Sequence, residues 1–182
     1  AKKRGLSPLT STPDALKEYS SKKSVELFKN LNVFSKRELD ARVEIDLQQY
    51  ILTLQIEGRT LGDIARNHII PTAIQYQNTL IENVKGLKEI YNSSFEKYAK
   101  EQMLLIERIS GHIEQINTGV NDMIAERKKA NLIEDNFDKS NAYHTRVKPY
   151  FDTIRYHCDK LELLVDNSKW PLAKYRELLF SR

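Results

Sequence analysis

Histidine and cysteine are the residues through which this chain could bind a metal ion or form a covalent intermediate. His68 stands alone, and His144 and His157 are thirteen positions apart, too far to bind one metal ion from neighbouring turns of a helix. We expect these histidines to be exposed or hydrogen-bonded rather than ligands or catalytic bases. The single cysteine, Cys158, falls on the apolar spacing of a helix, which predicts a buried core side chain and not a reactive thiol.

Paired carboxylates could support general acid–base catalysis, and Glu44 with Asp46 and Glu134 with Asp135 are such pairs. A helical chain with 25 acidic residues produces such pairs by chance. The sequence also lacks a glycine-rich phosphate loop, a zinc-ligand motif and a nucleophile elbow. We therefore predict no catalytic, cofactor-binding or metal-binding residue in this chain, and expect a structural or interaction module.

The composition predicts long helices and a mixed, solvated surface. The 182 residues include only 6 Gly and 5 Pro, with 40% apolar and 30% charged residues and a net charge of +4. Basic residues are interspersed with acids apart from the run at 2–4, so we predict no nucleic-acid partner. No apolar run approaches the roughly 20 residues of a membrane span. A single cysteine fits a reducing cytoplasm. Because the sequence begins at Ala1 without an initiator Met, we interpret the chain as part of a longer protein.

The N-terminal 34 residues are predicted to be a linker with short helices. Residues 1–11 read as an extended lead-in, and Thr12 reads as the N-cap of a helix that has Pro13 in its first turn. A second short helix is predicted over 22–30. Residues 35–182 are then predicted to form one helical bundle domain.

The stretch 35–80 carries the longest helical pattern. Ser35 and Glu38 have the spacing of a capping box, and Gly58 and Gly62 suggest close approach of another helix. Pro71 predicts a kink, after which the pattern continues to about residue 91. The apolar residues form a main stripe at helical spacing and a second stripe, which together predict a helix buried on more than one side: Leu39, Val43, Leu47, Tyr50, Leu54, Leu61, Ala65 and Ile69, then Ile45, Leu52 and Ile56.

Two further long helices and a terminal segment are predicted. The helix over 94–131 has a heptad seam, and that over 138–166 is expected to kink or end a first segment at Pro149. A short helix over 171–180, next to Trp170, is expected to dock back onto the bundle. The prediction is an all-α antiparallel bundle of these long helices. The seam of the helix over 94–131 consists of Ala99, Gln102, Ile106, Ile109, Ile113, Ile116, Val120 and Met123.

Several sequence segments resemble the C-terminal region of type III glutamine synthetases. They are LFKNLNVFSKREL (27–39), ARVEIDLQQYILTLQIEGRTLGDIARNHIIPTAIQYQNTL (41–80) and WPLAKYRELLF (170–180). KKRGL (2–6) and TPDAL (12–16) resemble the segment that joins this region to the catalytic domain. The long match includes Pro71 and keeps its order and spacing over more than fifty residues.

The resemblance implies a C-terminal helical domain of an enzyme that ligates ammonia to glutamate with ATP and Mg (or Mn). The family's metal-binding Glu and His residues lie on strands of an upstream catalytic domain, and no catalytic residue is assigned to this chain. The family assembles as stacked hexameric rings, so the resemblance implies that the partners of this chain are its own catalytic domain and neighbouring subunits. The alternative is a stand-alone adaptor whose seam over 106–123 recruits a partner helix.

Overall fold

The computed structural model describes residues 2–5 and 9–180, apart from the side chains of Lys2, Tyr175 and Arg176, and every regular element in these ranges is helical. Short 3₁₀ turns lie at Lys2–Arg4, Glu18–Ser20 and Asn92–Ser94, and π-helical turns at Ala65–Ile69 and Tyr143–Val147. The all-α class predicted from composition is confirmed for these ranges. The α-helices are α1 (Thr12–Lys17), α2 (Lys22–Asn30), α3 (Lys36–Ile64), α4 (Ile70–Tyr91), α5 (Phe95–Asn131), α6 (Asn136–Ala142), α7 (Pro149–Leu164) and α8 (Tyr175–Leu179).

The chain divides into two compact units. The first combines Ala1–Gly58 with Met123–Pro149, and the second combines Arg59–Asp122 with Tyr150–Arg182. Each unit therefore joins segments that are distant in sequence. The predicted boundary between a lead-in (1–34) and a bundle domain (35–182) stays a prediction.

The N-terminal helices follow local capping rules. Ser11, and not the predicted Thr12, is the N-cap of α1, because its hydroxyl accepts a hydrogen bond from the Asp14 amide at 3.2 Å. Helix α2 has the predicted bounds, and two residues after its end Asn32 has a φ of 54°, in the left-handed region. The Val33 amide donates to the Phe28 carbonyl at 3.0 Å, which closes a Schellman-type turn.

Helix α3 begins at the predicted capping box. The Ser35 hydroxyl accepts from the Glu38 amide at 3.3 Å, and the Glu38 carboxylate accepts from the Ser35 amide at 2.7 Å. This backbone hydrogen bond lowers the pKa of Glu38. The predicted main stripe supplies core residues of this helix and of the π turn that follows it, which are Leu39, Leu47, Leu54, Ala65 and Ile69.

The second apolar stripe of α3 does not enter the core, so the prediction of burial on more than one side is wrong for this chain. Ile45 is 63% exposed, Leu52 48% and Ile56 56%. A face of a helix is buried only where another element packs against it, and apolar spacing alone does not show which faces are covered. Gly58 and Gly62 are both buried, and their predicted contact with another helix backbone stays a prediction.

Pro71 and Pro149 each come two residues after a π-helical turn. Before Pro71, the Ile70 amide donates to the Ala65 carbonyl. Before Pro149, the Lys148 amide donates to the Tyr143 carbonyl at 2.9 Å. Proline lacks an amide hydrogen, and its ring crowds the carbonyl four residues earlier, so an ordinary helical turn cannot continue through it unchanged. The wider turns occur at the two positions where sequence predicted a disturbance of the helix.

Helix α5 confirms the predicted seam. Its fully buried members are Ala99, Ile109, Ile116, Val120 and Met123, and the other three are partly buried. The predicted last long helix consists of α6, the second π turn and α7, with Ile154, Cys158 and Leu161 buried.

The C-terminal segment differs from its prediction. Residues 171–174 are not helical, and α8 is only five residues long. Phe180 is 81% exposed and Leu179 is 59% exposed, so the expected docking of these side chains is wrong. The Lys174 ammonium donates to the Glu162 carbonyl at 3.0 Å, which attaches the segment to α7 through a polar contact instead. The side chain of Tyr175, also expected to dock, lies outside the described residues.

Candidate functional site

The residues singled out for chemistry do not come together. His68 lies exposed in the first π turn, and its carbonyl accepts a hydrogen bond from the Thr72 hydroxyl at 2.9 Å. In the part of the chain that the structure describes, no group of three or more His, Cys, Asp or Glu residues could hold a metal ion. The histidines and acids are therefore considered one by one.

His144 contacts a tyrosine of α3 within the first unit. Its Nδ1 lies 2.9 Å from the Tyr50 hydroxyl. Burial raises the pKa of Tyr50, so the hydroxyl stays protonated at neutral pH and can donate to the imidazole. This pairing fits the predicted role of His144 as a hydrogen-bonded structural residue.

Close to this pair, three polar side chains form a closed triangle. The buried Tyr143 hydroxyl donates to Asn131 Oδ1 at 2.6 Å and accepts from Gln55 Nε2 at 3.0 Å. Gln55 Nε2 also lies 3.1 Å from Asn131 Oδ1. The triangle links α3, the end of α5 and the second π turn in the first unit. The triangle satisfies the buried Tyr143 hydroxyl, as a buried polar group requires, and nothing in it is arranged to bind a reactant.

The second unit contains a histidine pair that sequence spacing missed. Nδ1 of His112, on α5, lies 2.9 Å from Nδ1 of His157, on α7. Burial lowers the pKa of both imidazoles, and the charge of His157 and of nearby Arg108 and Lys160 lowers the pKa of His112 further. The two residues are 45 positions apart, so no local motif could reveal the pair.

The histidine pair is poorly suited to a metal ion. Two imidazoles leave at least two positions of a tetrahedral zinc site without a protein ligand. The nearby Arg108 and Lys160 would also repel a cation. With both imidazoles neutral, the Nδ1–H of one ring can donate a hydrogen bond to the unprotonated Nδ1 of the other, and this hydrogen bond links α5 and α7.

Cys158 is a core residue, as predicted. Its side chain is 6% exposed, and burial raises the pKa of the thiol to about 11. Because the thiolate is the reactive form, this cysteine is a poor nucleophile at neutral pH.

One residue of each acidic pair forms a hydrogen bond that supports helix packing or capping. Glu44 accepts a hydrogen bond from the Asn136 amide group within the first unit. Asp135 is the N-cap of α6 and accepts from the Asp138 amide at 2.8 Å. These roles account for one member of each pair without any catalytic function.

Two surface clefts of the first unit differ in size and in how open they are. One of about 190 Å³, below the roughly 300–1,000 Å³ of small-molecule sites, is lined by Tyr19, Phe28, Phe34, Leu39, Arg42, Val43 and Asp46. The other, beside Lys17, Asp40 and Asp135, measures about 440 Å³ but is open to solvent. No described helix combines the length and apolarity that crossing a membrane requires.

Comparison with known proteins places these helices in context. Residues 1–88 match the family model described as the glutamine synthetase C-terminal domain. Over its full length the chain is 41% identical to a glutamine synthetase of Bacteroides fragilis and 30% identical to a type-3 glutamine synthetase of Dictyostelium discoideum. It is 23% identical to a glutamine synthetase of Butyrivibrio fibrisolvens. In each case the chain spans 25% of the relative's length.

Proposed function

Because the chain belongs to the glutamine synthetase C-terminal domain family, we propose that it is a non-catalytic structural and assembly module of a longer glutamine synthetase. The observation that carries this proposal is the alignment of the whole chain with a quarter of each relative. Several of the side chains considered as candidates for chemistry have structural roles: Cys158 is buried in the core, His112 pairs with His157, and Asp135 caps α6. Such roles are expected of a structural module.

The remainder of the protein would supply the ligase chemistry. The proposed reaction is ligation of ammonia to glutamate with ATP hydrolysis, supported by Mg or Mn. The described residues of this chain do not fit these groups, because they include no cluster of three metal-ligating side chains. We therefore assign no step of the reaction to this chain, and expect the 182-residue chain alone to lack ligase activity.

The proposed architecture is an antiparallel arrangement of the long helices. Within the second unit, Gln77 of α4 donates to the Ser110 hydroxyl of α5 at 2.8 Å, and Gln102 of α5 donates to Asn83 of α4 at 3.3 Å. As residue numbers rise along α4, those of its partners fall along α5. The position of Pro71 just after a π turn supports the proposed kink between α3 and α4.

We further propose that the module acts in the cytoplasm, within a homo-oligomer of stacked rings. A helical appendage can stabilise such an assembly by contacting its own catalytic domain or a neighbouring subunit. The exposed apolar stripe of α3 supports a contact of this kind. The alternative adaptor is disfavoured, because the seam it would use is occupied: Ile109 and Ile116 have no exposed surface.

Deletion of this chain from the full-length enzyme tests the proposal. We expect the truncated protein to lose its native oligomeric mass in analytical ultracentrifugation, while ATP binding by the remaining protomer persists. Ligase assays of the purified 182-residue chain should give no glutamine above background. Native assembly and full turnover after deletion, or turnover by the isolated chain, would contradict the proposal.

A further inference from the structure

The contact between His112 and His157 joins α5 to α7 in the second unit through two groups that titrate near neutral pH. Both side chains are partly buried, and their Nδ1 atoms lie 2.9 Å apart. The ring centroids are 5.2 Å apart and the rings are inclined by 51°, so a hydrogen bond between nitrogen atoms, and not ring stacking, makes the contact. Because histidine has an ordinary pKa of about 6.5, this hydrogen bond depends on pH.

The number of protons on the pair decides whether the hydrogen bond can form. With both rings neutral, the Nδ1–H of one ring donates to the Nδ1 lone pair of the other. With one added proton, the imidazolium still donates to the neutral ring. With two added protons, both Nδ1 atoms carry a hydrogen, no acceptor remains, and two positive charges face each other. The second proton therefore converts an attractive contact into a repulsive one.

The positive charges around the pair oppose its protonation. Burial is the main cause that lowers the pKa of His112, and the charges of His157, Arg108 and Lys160 lower it further. Arg108 precedes His112 by about one turn of α5, and Lys160 follows His157 by about one turn of α7. Both neighbours thus add to the repulsion that a doubly protonated pair would experience.

Acidic groups do not compensate these charges. Asp159, two residues after His157, lies 3.6 Å from Arg155 Nε. Helix α4 packs against this part of α5 through Gln77, and its residues 70–81 include no charged side chain. In the part of the chain that the structure describes, neither histidine of the pair forms a hydrogen bond or an ion pair with a carboxylate. An imidazolium at this position therefore lacks a counterion.

Helix α7 depends on its contact with α5. Its buried side chains, Ile154, Cys158 and Leu161, lie in the same turns as His157, and Ile154 lies against Gly119 of α5. The helix has only 16 residues, and isolated helices of about this length are marginal in water. Separation from α5 should therefore expose the backbone amides of α7 to solvent.

We propose that the His112–His157 pair is a pH-sensitive switch, which keeps α7 packed on α5 near neutral pH and releases it when both imidazoles are protonated. This inference goes beyond the proposed function and does not depend on it. It assigns a conformational role to the one contact in the second unit that two protons can reverse.

The direction and size of the effect follow from proton linkage. Burial lowers the pKa of both imidazoles while α7 is packed, whereas in the released state each regains its ordinary pKa of about 6.5. The released state thus binds more protons, so packing is favoured above pH 6.5 and is lost as pH falls below it. Between about pH 7.5 and 5.5, two such histidines can raise the released fraction by up to about a hundredfold, and one histidine by no more than about tenfold.

Hydrogen–deuterium exchange of the 182-residue chain measures the release of α7. Peptides from α7 and α3 are compared at about pH 7.5 and 5.5, after correction for the intrinsic exchange rate at each pH. His112→Asn and His157→Asn each remove one titrating ring, because an amide can donate to a neutral imidazole or accept from a charged one. His68→Asn is the matched control, because His68 is exposed and lies outside the pair.

We expect exchange in α7 to rise by more than about tenfold over this pH range in the unmodified chain and in His68→Asn, and by less in either variant of the pair. Exchange in α3 should rise less than exchange in α7. A rise in the unmodified chain no larger than in the variants of the pair would overturn the proposal. Equal rises in α3 and α7 would assign the effect to unfolding of the whole chain, and would also overturn it.

The imidazole nitrogens of the unmodified chain give a second test, which does not require any variant to fold. Nitrogen-15 NMR near neutral pH distinguishes the two neutral forms of each ring. We expect one ring of the pair to be protonated at Nδ1 and the other at Nε2. Two rings that are both protonated only at Nε2 would leave no donor between the Nδ1 atoms, and the switch would be refuted.

Discussion

The buried hydroxyl of Tyr143 allows a sharp test of how the first unit is held together. Tyr143→Phe keeps the aromatic ring and removes only the oxygen that bonds to Asn131 at 2.6 Å and to Gln55 at 3.0 Å. The ring has no exposed surface, so the substitution changes hydrogen bonding and leaves hydrophobic burial nearly unchanged.

The expected cost follows from what the hydroxyl leaves behind. A typical hydrogen bond contributes about 1 kcal/mol net, so two lost bonds correspond to a free energy of unfolding lower by roughly 1–3 kcal/mol. The larger penalty for an unsatisfied buried group should not apply, because Gln55 Nε2 and Asn131 Oδ1 still bond to each other at 3.1 Å.

Urea denaturation followed by circular dichroism measures this change. We expect a lower midpoint with an unchanged denaturant dependence, which indicates lost stability without a change in the surface exposed on unfolding. Tyr156→Phe is the matched control, because Tyr156 is 55% exposed and its substitution should change stability by less than about 0.5 kcal/mol. A loss for Tyr143→Phe no greater than that of the control would refute the reasoning.

Two further predictions concern α5 and its neighbour α7. Gly111→Ala should stabilise the chain by about 0.5–1 kcal/mol, because the added methyl group meets nothing within 4 Å. Gly119→Ala should stabilise it less or destabilise it, because its methyl group would lie 3.1 Å from Ile154 Cγ1. Thermal unfolding compares the two variants, and equal gains would contradict the expected effect of the contact with Ile154. Burial lowers the pKa of His112 and His157 below 6.5, so the unfolded state binds more protons and stability should fall as pH drops below 6.5. Replacing both histidines with Gln should flatten that dependence in urea denaturation, and an unchanged slope would exclude the pair as its source.

Local features of the fold were predictable because their causes are local. The capping box of Ser35 and Glu38 needs only residues three positions apart. The seam of α5 follows from apolar spacing, and Ile109 and Ile116 are fully buried as predicted. Proline chemistry likewise indicated a disturbance near Pro71, although not that it takes the form of a π turn.

The pairings between helices were not predictable, because they depend on residues far apart in sequence. His112 and His157 meet across 45 positions, and Gln55 meets Tyr143 across 88. Spacing identifies a helix face but not the residue opposite it. For the same reason, apolar periodicity could not distinguish the buried face of α3 from its second apolar stripe, Ile45, Leu52 and Ile56, which stays exposed.

The end of the family match at residue 88 does not mark the end of a folding unit. Gln55 and Gln77 lie inside the matched range, yet Gln55 bonds to Asn131 and Gln77 donates to the Ile106 carbonyl at 3.0 Å. Both compact units also combine residues before and after position 88. A packing helix can satisfy its role with many sequences, provided that apolar residues recur at the right period. Residues 1–88 therefore supply only part of each unit, and α5, α6 and α7 supply core that the matched part lacks by itself.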